Sequence, residues 1–170
     1  MRCVDRLGPE RFSLAEVAAD LGVIRQTVYR YFPSTDELFE AVGGYAVEAY
    51  IDELTRHLRR HKEPAPWVVE ALAATIEWLP DRPHLTLLLA AGHPERFAEG
   101  VTSPVSMAVG REIFKRSPID WAAAGYDPRD IDELIELMLR IMGSMVTHPA
   151  CPPRSSRELR RVLRGWIGPR

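Results

Sequence analysis

The stretch Ser13 to Glu37, SLAEVAADLGVIRQTVYRYFPSTDE, leaves a chain little choice of fold. It opens and closes on the pattern Ser-x-x-Glu, at Ser13–Glu16 and again at Ser34–Glu37. In that pattern the serine hydroxyl accepts from an orphan backbone N–H, so each copy marks the start of a helix. After the first copy, Leu14, Val17, Ala18 and Leu21 fall at i, i+3, i+4 and i+7, one apolar face. Gly22 ends that helix. A second helix, from about Arg25 to Phe32, turns Val28 and Phe32 inward at i and i+4. Pro33 stops it, because proline has no N–H and drives the preceding residue out of helical geometry. Two short helices therefore meet across the tight turn LGVI, which sets them near a right angle.

The rest of the chain also reads as helix, which makes the fold class all-α, with about nine helices. A short segment, Arg2 to Leu7, precedes Gly8-Pro9. A long helix opens at Ser34 and runs through Leu38, Val42, Val47, Ile51, Leu54 and Leu58 to about His61. Gly43-Gly44 inside it is read either as a close-packing point or as a joint. Pro66 opens PWVVEALAATIEWL, and HLTLLLAAG, apolar all round, is expected to be buried. HPERFAEGVTS reads as a loop and PVSMAVGREIFKRS as a helix, and PIDWAAAG adds a turn or two. DPRDIDELIELMLRIMGSMVTH and RSSRELRRVLRGWI are the last two helices. No period-two strand pattern and no Asn-Gly or Asp-Gly hairpin turn occurs. The expected organisation is a head over residues 1–44 and a helical unit over 45–170.

Bulk properties exclude several classes. No apolar run approaches the roughly 20 residues of a membrane span. The amino terminus has no apolar leader, and Cys3 and Cys151 are too few for a disulfide framework, so a cytoplasmic location is expected. His57 and His61 stand at metal-binding spacing without a third ligand, and read as a solvated face. His84 reads as a surface-loop residue or a pocket polar group. No nucleophile elbow, Ser-His-Asp spacing or phosphate-binding glycine loop is present, so neither enzyme activity nor a cofactor or metal is expected. The net charge is −2, and residues 1–32 carry five arginines against four acids. Charge alone therefore does not point to nucleic acid, and pattern has to.

The pattern does. In a helix-turn-helix the first helix braces while the second enters the major groove of double-stranded DNA. Arg25 can fork onto guanine, Gln26 can pair with adenine, and Thr27 can meet a thymine methyl or a phosphate oxygen. Tyr29, Arg30 and Tyr31 present donors suited to phosphate. With these residues in view, Phe12 to Val42 resembles the DNA-binding region of the tetracycline-repressor-like (TetR) family. The resemblance implies DNA contacts at Arg25, Gln26, Thr27, Tyr29 and Tyr31, with Ser34 added. It also implies a ligand-responsive regulator, a repressor before an activator, acting as a homodimer on a palindromic operator. Three departures stand out. Ile24 replaces the usual Ser or Thr before the recognition helix, Thr35 replaces a usual Lys, and the first helix is short, as if the start lay upstream.

In such a family the central helices enclose a pocket. Trp67, Trp78, Phe97, Met107, Phe114 and Trp121, each of which alone reads as core, then suggest a largely apolar cavity, with His93 as a polar anchor. An apolar small-molecule effector is the implied occupant. The penultimate helix carries an apolar stripe too broad for one buried face, including Ile135, Met138, Met142 and Met145. The last adds Leu159, Val162, Leu163 and Trp166 at i, i+3, i+4 and i+7. These residues are expected to form a two-fold dimer interface. Arg154, Arg157, Arg160, Arg161 and Arg164 are expected to complement Asp127, Asp130, Asp132, Glu133 and Glu136. The rival reading is a helical small-molecule carrier or interaction protein with a vestigial head.

Overall fold

The computed structural model describes residues 13–82, Leu85 and residues 101–167. The helix expected over 2–7, and all of HLTLLLAAG except Leu85, lie outside them, as do His84, His93 and Phe97. Among the described residues the regular elements are seven α-helices and one 3-10 turn, Leu79–Asp81.

The head forms as its punctuation dictates. Helix α1 spans Leu14–Leu21, capped by the Ser13 hydroxyl, which accepts from the Glu16 N–H at 3.2 Å. It ends on Gly22 in the left-handed conformation, φ 65°, which glycine adopts without steric penalty. Helix α2 spans Arg25–Tyr31. Its amino-terminal cap is Ile24, which makes no side-chain cap bond, as an aliphatic residue there must not. Leu14, Val17, Ala18, Val28 and Leu38 close a small core, with Phe32 packed against it.

Helix α3, Thr35–Leu58, starts on Ser34, whose hydroxyl accepts from the Glu37 N–H at 3.1 Å. It runs unbroken from the head core into the main core, which takes Ala46, Tyr50, Ile51, Leu54 and Leu58. Gly43-Gly44 lies within it as regular helix. Gly43 is buried, and a Cβ on Gly44 would meet nothing within 4 Å. Close packing therefore does not account for Gly44.

Helix α4, Pro64–Trp78, is the hub, with Trp67 to Ala74 buried in unbroken succession. Helix α5 is Pro104–Lys115, α6 is Pro128–Thr147 and α7 is Ser156–Trp166. Helix α4 packs on α3, α6 and α7, and α5 packs on α3 and α6. Helices α5 and α6 meet closely at Gly110, where a Cβ would stand 2.5 Å from Ile135 Cγ2. Both α6 and α7 begin with reciprocal capping boxes, Asp127/Asp130 and Ser155/Glu158.

One charge cluster sits inside this packing. Glu70 is the single acid in the buried run of α4 and is 7% exposed. A buried carboxylate needs partners. Arg160 of α7 supplies two bonds to it, at 2.8 and 2.9 Å, and two more to Glu77, at 2.7 and 3.0 Å. His57 of α3 adds a contact at 2.6 Å to Glu70 Oε1. The Arg160 hydrogen bonds are the main reason the Glu70 carboxyl is held down at about 2. Of the α7 arginines expected to complement α6 acids, Arg160 is instead paired with α4 within the chain. Asp132 takes Arg111 of α5 at 2.7 and 3.1 Å, and Glu136 takes Arg140 of its own helix. The cluster also gives His57 an internal partner in place of the solvated face expected for it.

Candidate functional site

The outward face of α2 is polar and open. Arg25, Gln26, Tyr29, Arg30 and Tyr31 are exposed, Thr27 is half-buried, and Val28 is the residue that anchors the helix below. Arg30 donates to the Tyr31 hydroxyl at 3.3 Å and lies over the Tyr31 ring, 5.1 Å from its centroid. Helix α2 itself carries two guanidinium groups and no acid. Ser34 is the half-buried amino-terminal cap of α3, with its oxygen accepting the cap bond. The six residues expected to meet DNA thus sit on one short helix and the start of the next. Ile24, exposed to 70%, leads the row.

The second candidate feature is a cavity of about 90 Å³ inside the main bundle, walled by α3, α4, α5 and α6 together with Leu79 and Leu85. Among the described residues its polar lining is Tyr50, Thr75 and Ser106; the other described lining residues are aliphatic, Gly110, or the sulfur and aromatic groups of Met138, Met142 and Phe114. Burial pushes the Tyr50 phenol up to about 12.

Of the residues expected at a pocket, Phe114 lines this cavity. Trp67 and Trp121 pack with it as an aromatic cluster, at centroid distances of 4.8 Å for Trp67–Phe114 and Phe114–Trp121 and 5.4 Å for Trp67–Trp121. The buried Trp67 indole N–H finds no acceptor there. Met107 is partly buried on the core, and Trp78 packs edge-on to His57 at 5.3 Å. Neither lines the cavity. Tyr50 and Thr75 went unread in the sequence, although a tyrosine on the inward face of α3, between Val47 and Leu54, was a signal for a polar group in an apolar wall.

The residues expected at a dimer interface divide. Ile135, Met142, Leu159 and Leu163 are buried within the chain, and Ile135, Met138 and Met142 wall the cavity. Met138, Met145 and Val162 are half-buried, Trp166 is 87% exposed, and Leu137 of α6 is also open. The buried members of the stripe face the chain's own core, because α6 and α7 both bury a face against α4.

A brace helix, a left-handed glycine turn and an open polar helix, set at one end of a helical bundle, define a helix-turn-helix protein of all-α fold. Residues 1–42 match the family described as bacterial regulatory proteins, tetR family. Over 92 residues the chain is 29% identical to the nucleoid occlusion factor SlmA of Haemophilus influenzae, covering 54% of this chain and 42% of that protein. The same identity relates it to SlmA of Pasteurella multocida, with 46% of that protein covered. The chain therefore spans less than half the length of the curated relatives it matches. In fold it is similar to AibR, solved with isovaleryl coenzyme A and operator DNA, at TM-score 0.61 and 14% identity over 99% of this chain and 93% of that one. A TetR/AcrR-family regulator from Thermobifida fusca superposes at TM-score 0.60 and 16% identity over 98% and 92%. Among the described residues no helix is long and apolar enough to cross a membrane, and no cluster of three metal-ligating side chains occurs.

Proposed function

We propose that this protein is a sequence-specific DNA-binding transcriptional regulator, a repressor acting as a homodimer on a palindromic operator and released by a small molecule held in the α3–α6 cavity. The observation that carries the reading is the open face of α2, where Arg25, Gln26 and Thr27 lead a helix anchored by Val28 on a tetR-family head. Bidentate chemistry at guanine and adenine suits Arg25 and Gln26, and the hydroxyls of Tyr29, Tyr31 and Ser34 suit phosphate. In a two-fold dimer, two such helices would meet successive major grooves about 34–36 Å apart. The exposed Leu137 and Trp166, with half-buried Met145 and Val162, are the apolar surface that supports pairing through α6 and α7. The head, taken as residues 1–44, and the bundle after it are joined by α3.

The test is fluorescence anisotropy of the purified chain on DNA selected from a random pool, against excess random DNA at two salt concentrations. The expected result is salt-sensitive, sequence-selective binding that Gln26→Ala removes while the oligomeric state stays the same. Loss of all preference in the parent protein, with ligand binding intact, would give the chain to the carrier class instead.

A further inference from the structure

We propose that the cavity selects a small uncharged molecule bearing an O–H or N–H donor, an alcohol or primary amide, over carboxylates and over acceptor-only molecules of the same size. This deepens, and rests on, the reading of the cavity as the effector site.

The direction of one hydrogen-bond chain decides the matter. Thr75 Oγ1 donates to the Ala71 carbonyl at 2.7 Å, one turn back on α4. A hydroxyl has a single hydrogen, so Thr75 can only accept in its 2.6 Å bond with the Tyr50 hydroxyl. Tyr50 is therefore the donor, and its own single hydrogen is also engaged. What the phenol has left is lone-pair capacity. The polar group that Tyr50 adds to the wall is an acceptor, and its complement is a donor on the ligand. A ketone or ether could reach it only by breaking the bond to Thr75. Ser106, the other polar lining residue, is 1% exposed and turned to its neighbour, with its hydroxyl 3.0 Å from that of Ser103.

Charge and size narrow the class. Among the described residues no Asp, Glu, Lys, Arg or His lines the cavity, so against these walls a carboxylate or ammonium would enter without a counter-charge. Tyr50 cannot supply one, since burial keeps it protonated through the physiological range. At about 90 Å³ the space is smaller than the roughly 150 Å³ apolar cavity that accepts benzene. An occupant of about five non-hydrogen atoms follows, with an affinity ceiling in the low micromolar range.

The test compares 1-butanol, 2-butanone and butyrate on the full chain, by isothermal titration and by saturable shifts of the Ile135 and Met142 methyl resonances. Expected is a preference for butanol over butanone of about tenfold, the worth of one hydrogen bond, and no saturable effect of butyrate. Tyr50→Phe should bring the two neutral ligands level. Thr75→Val, which keeps the side-chain shape, frees the Tyr50 hydrogen to donate to either ligand oxygen and should narrow the preference by raising butanone affinity. Equal or tighter butanone binding to the parent protein, a preference that survives Tyr50→Phe, or no saturable binding at all overturns the inference. Binding with the expected preference but no change in DNA affinity would sustain it and remove the effector role from the cavity.

Discussion

Replacing Arg160 by methionine keeps most of the aliphatic stem and removes the guanidinium that grips Glu70 and Glu77. Glu70 is held at about 2 against an ordinary 4.5, chiefly by its hydrogen bonds to Arg160. At 1.36 kcal/mol per unit, the favoured anion is worth about 3 kcal/mol to the fold, of which His57 supplies the lesser part. Loss of Arg160 should thus destabilise by about 2–3 kcal/mol at pH 7, or about 4–12 °C in Tm for a chain of this length. The sign of the pH dependence follows from the depressed carboxyl. Its contribution is complete above about pH 4.5 and drains as pH falls toward 2. The variant keeps only the lesser part that His57 supplies, so it has less to lose. Its deficit should therefore shrink to under half by pH 3. Thermal melts followed by circular dichroism from pH 7 to pH 3 measure this directly, with Glu70→Gln closing a double-mutant cycle. A deficit of constant size across that range would refute the reasoning and leave Arg160 contributing through packing alone.

Gly110→Ala places a methyl 2.5 Å from Ile135 Cγ2, so denaturant titration should show a loss of about 1–3 kcal/mol. Gly44→Ala meets open space in a regular helix and should gain about 0.5–1 kcal/mol in the same assay. If DNA affinity falls as stability rises, the glycine serves as a joint. Ile24→Ser supplies the missing cap of α2 and should raise amide protection in its first turn by about 1 kcal/mol, read by hydrogen exchange.

The local punctuation was legible because each signal acts within a few residues. Ser13, Gly22, Pro33, Ser34 and Asp127 mark helix ends through bonds or torsions of their own neighbourhood, and the helices begin and end there. The face of α2 was legible for the same reason, since Val28 fixes which side points inward. Partners distant in sequence were not. Periodicity told that α6 and α7 carry wide apolar stripes, but not that Ile135 and Leu163 would face α3–α5 and α4 of their own chain. Nothing local links Arg160 to Glu70, ninety positions away, although an acid amid WVVEALAAT announced that some cation had to arrive. In the sequence the tryptophans point to a pocket only as a set on the central helices. The structure puts Trp67 into an edge-on cluster with Phe114 and gives the cavity to smaller side chains.

The unbroken course of α3 has a mechanical consequence. Its carboxyl half is clamped, with Arg116 gripping Glu48 at 2.7 Å and Asp52 at 2.8 Å, and Arg82 gripping Glu53 at 2.7 Å. The helix beyond the clamp, from Glu48 back to Thr35, is about 20 Å of rigid rod. A tilt of about 10° at that fulcrum sweeps its free end through about 3.4 Å, the rise of one base pair. Val47, Tyr50 and Leu54 place the fulcrum against the cavity wall, so under the proposed function a lever of this length would turn a small change of fit there into a mismatch of one full step along DNA.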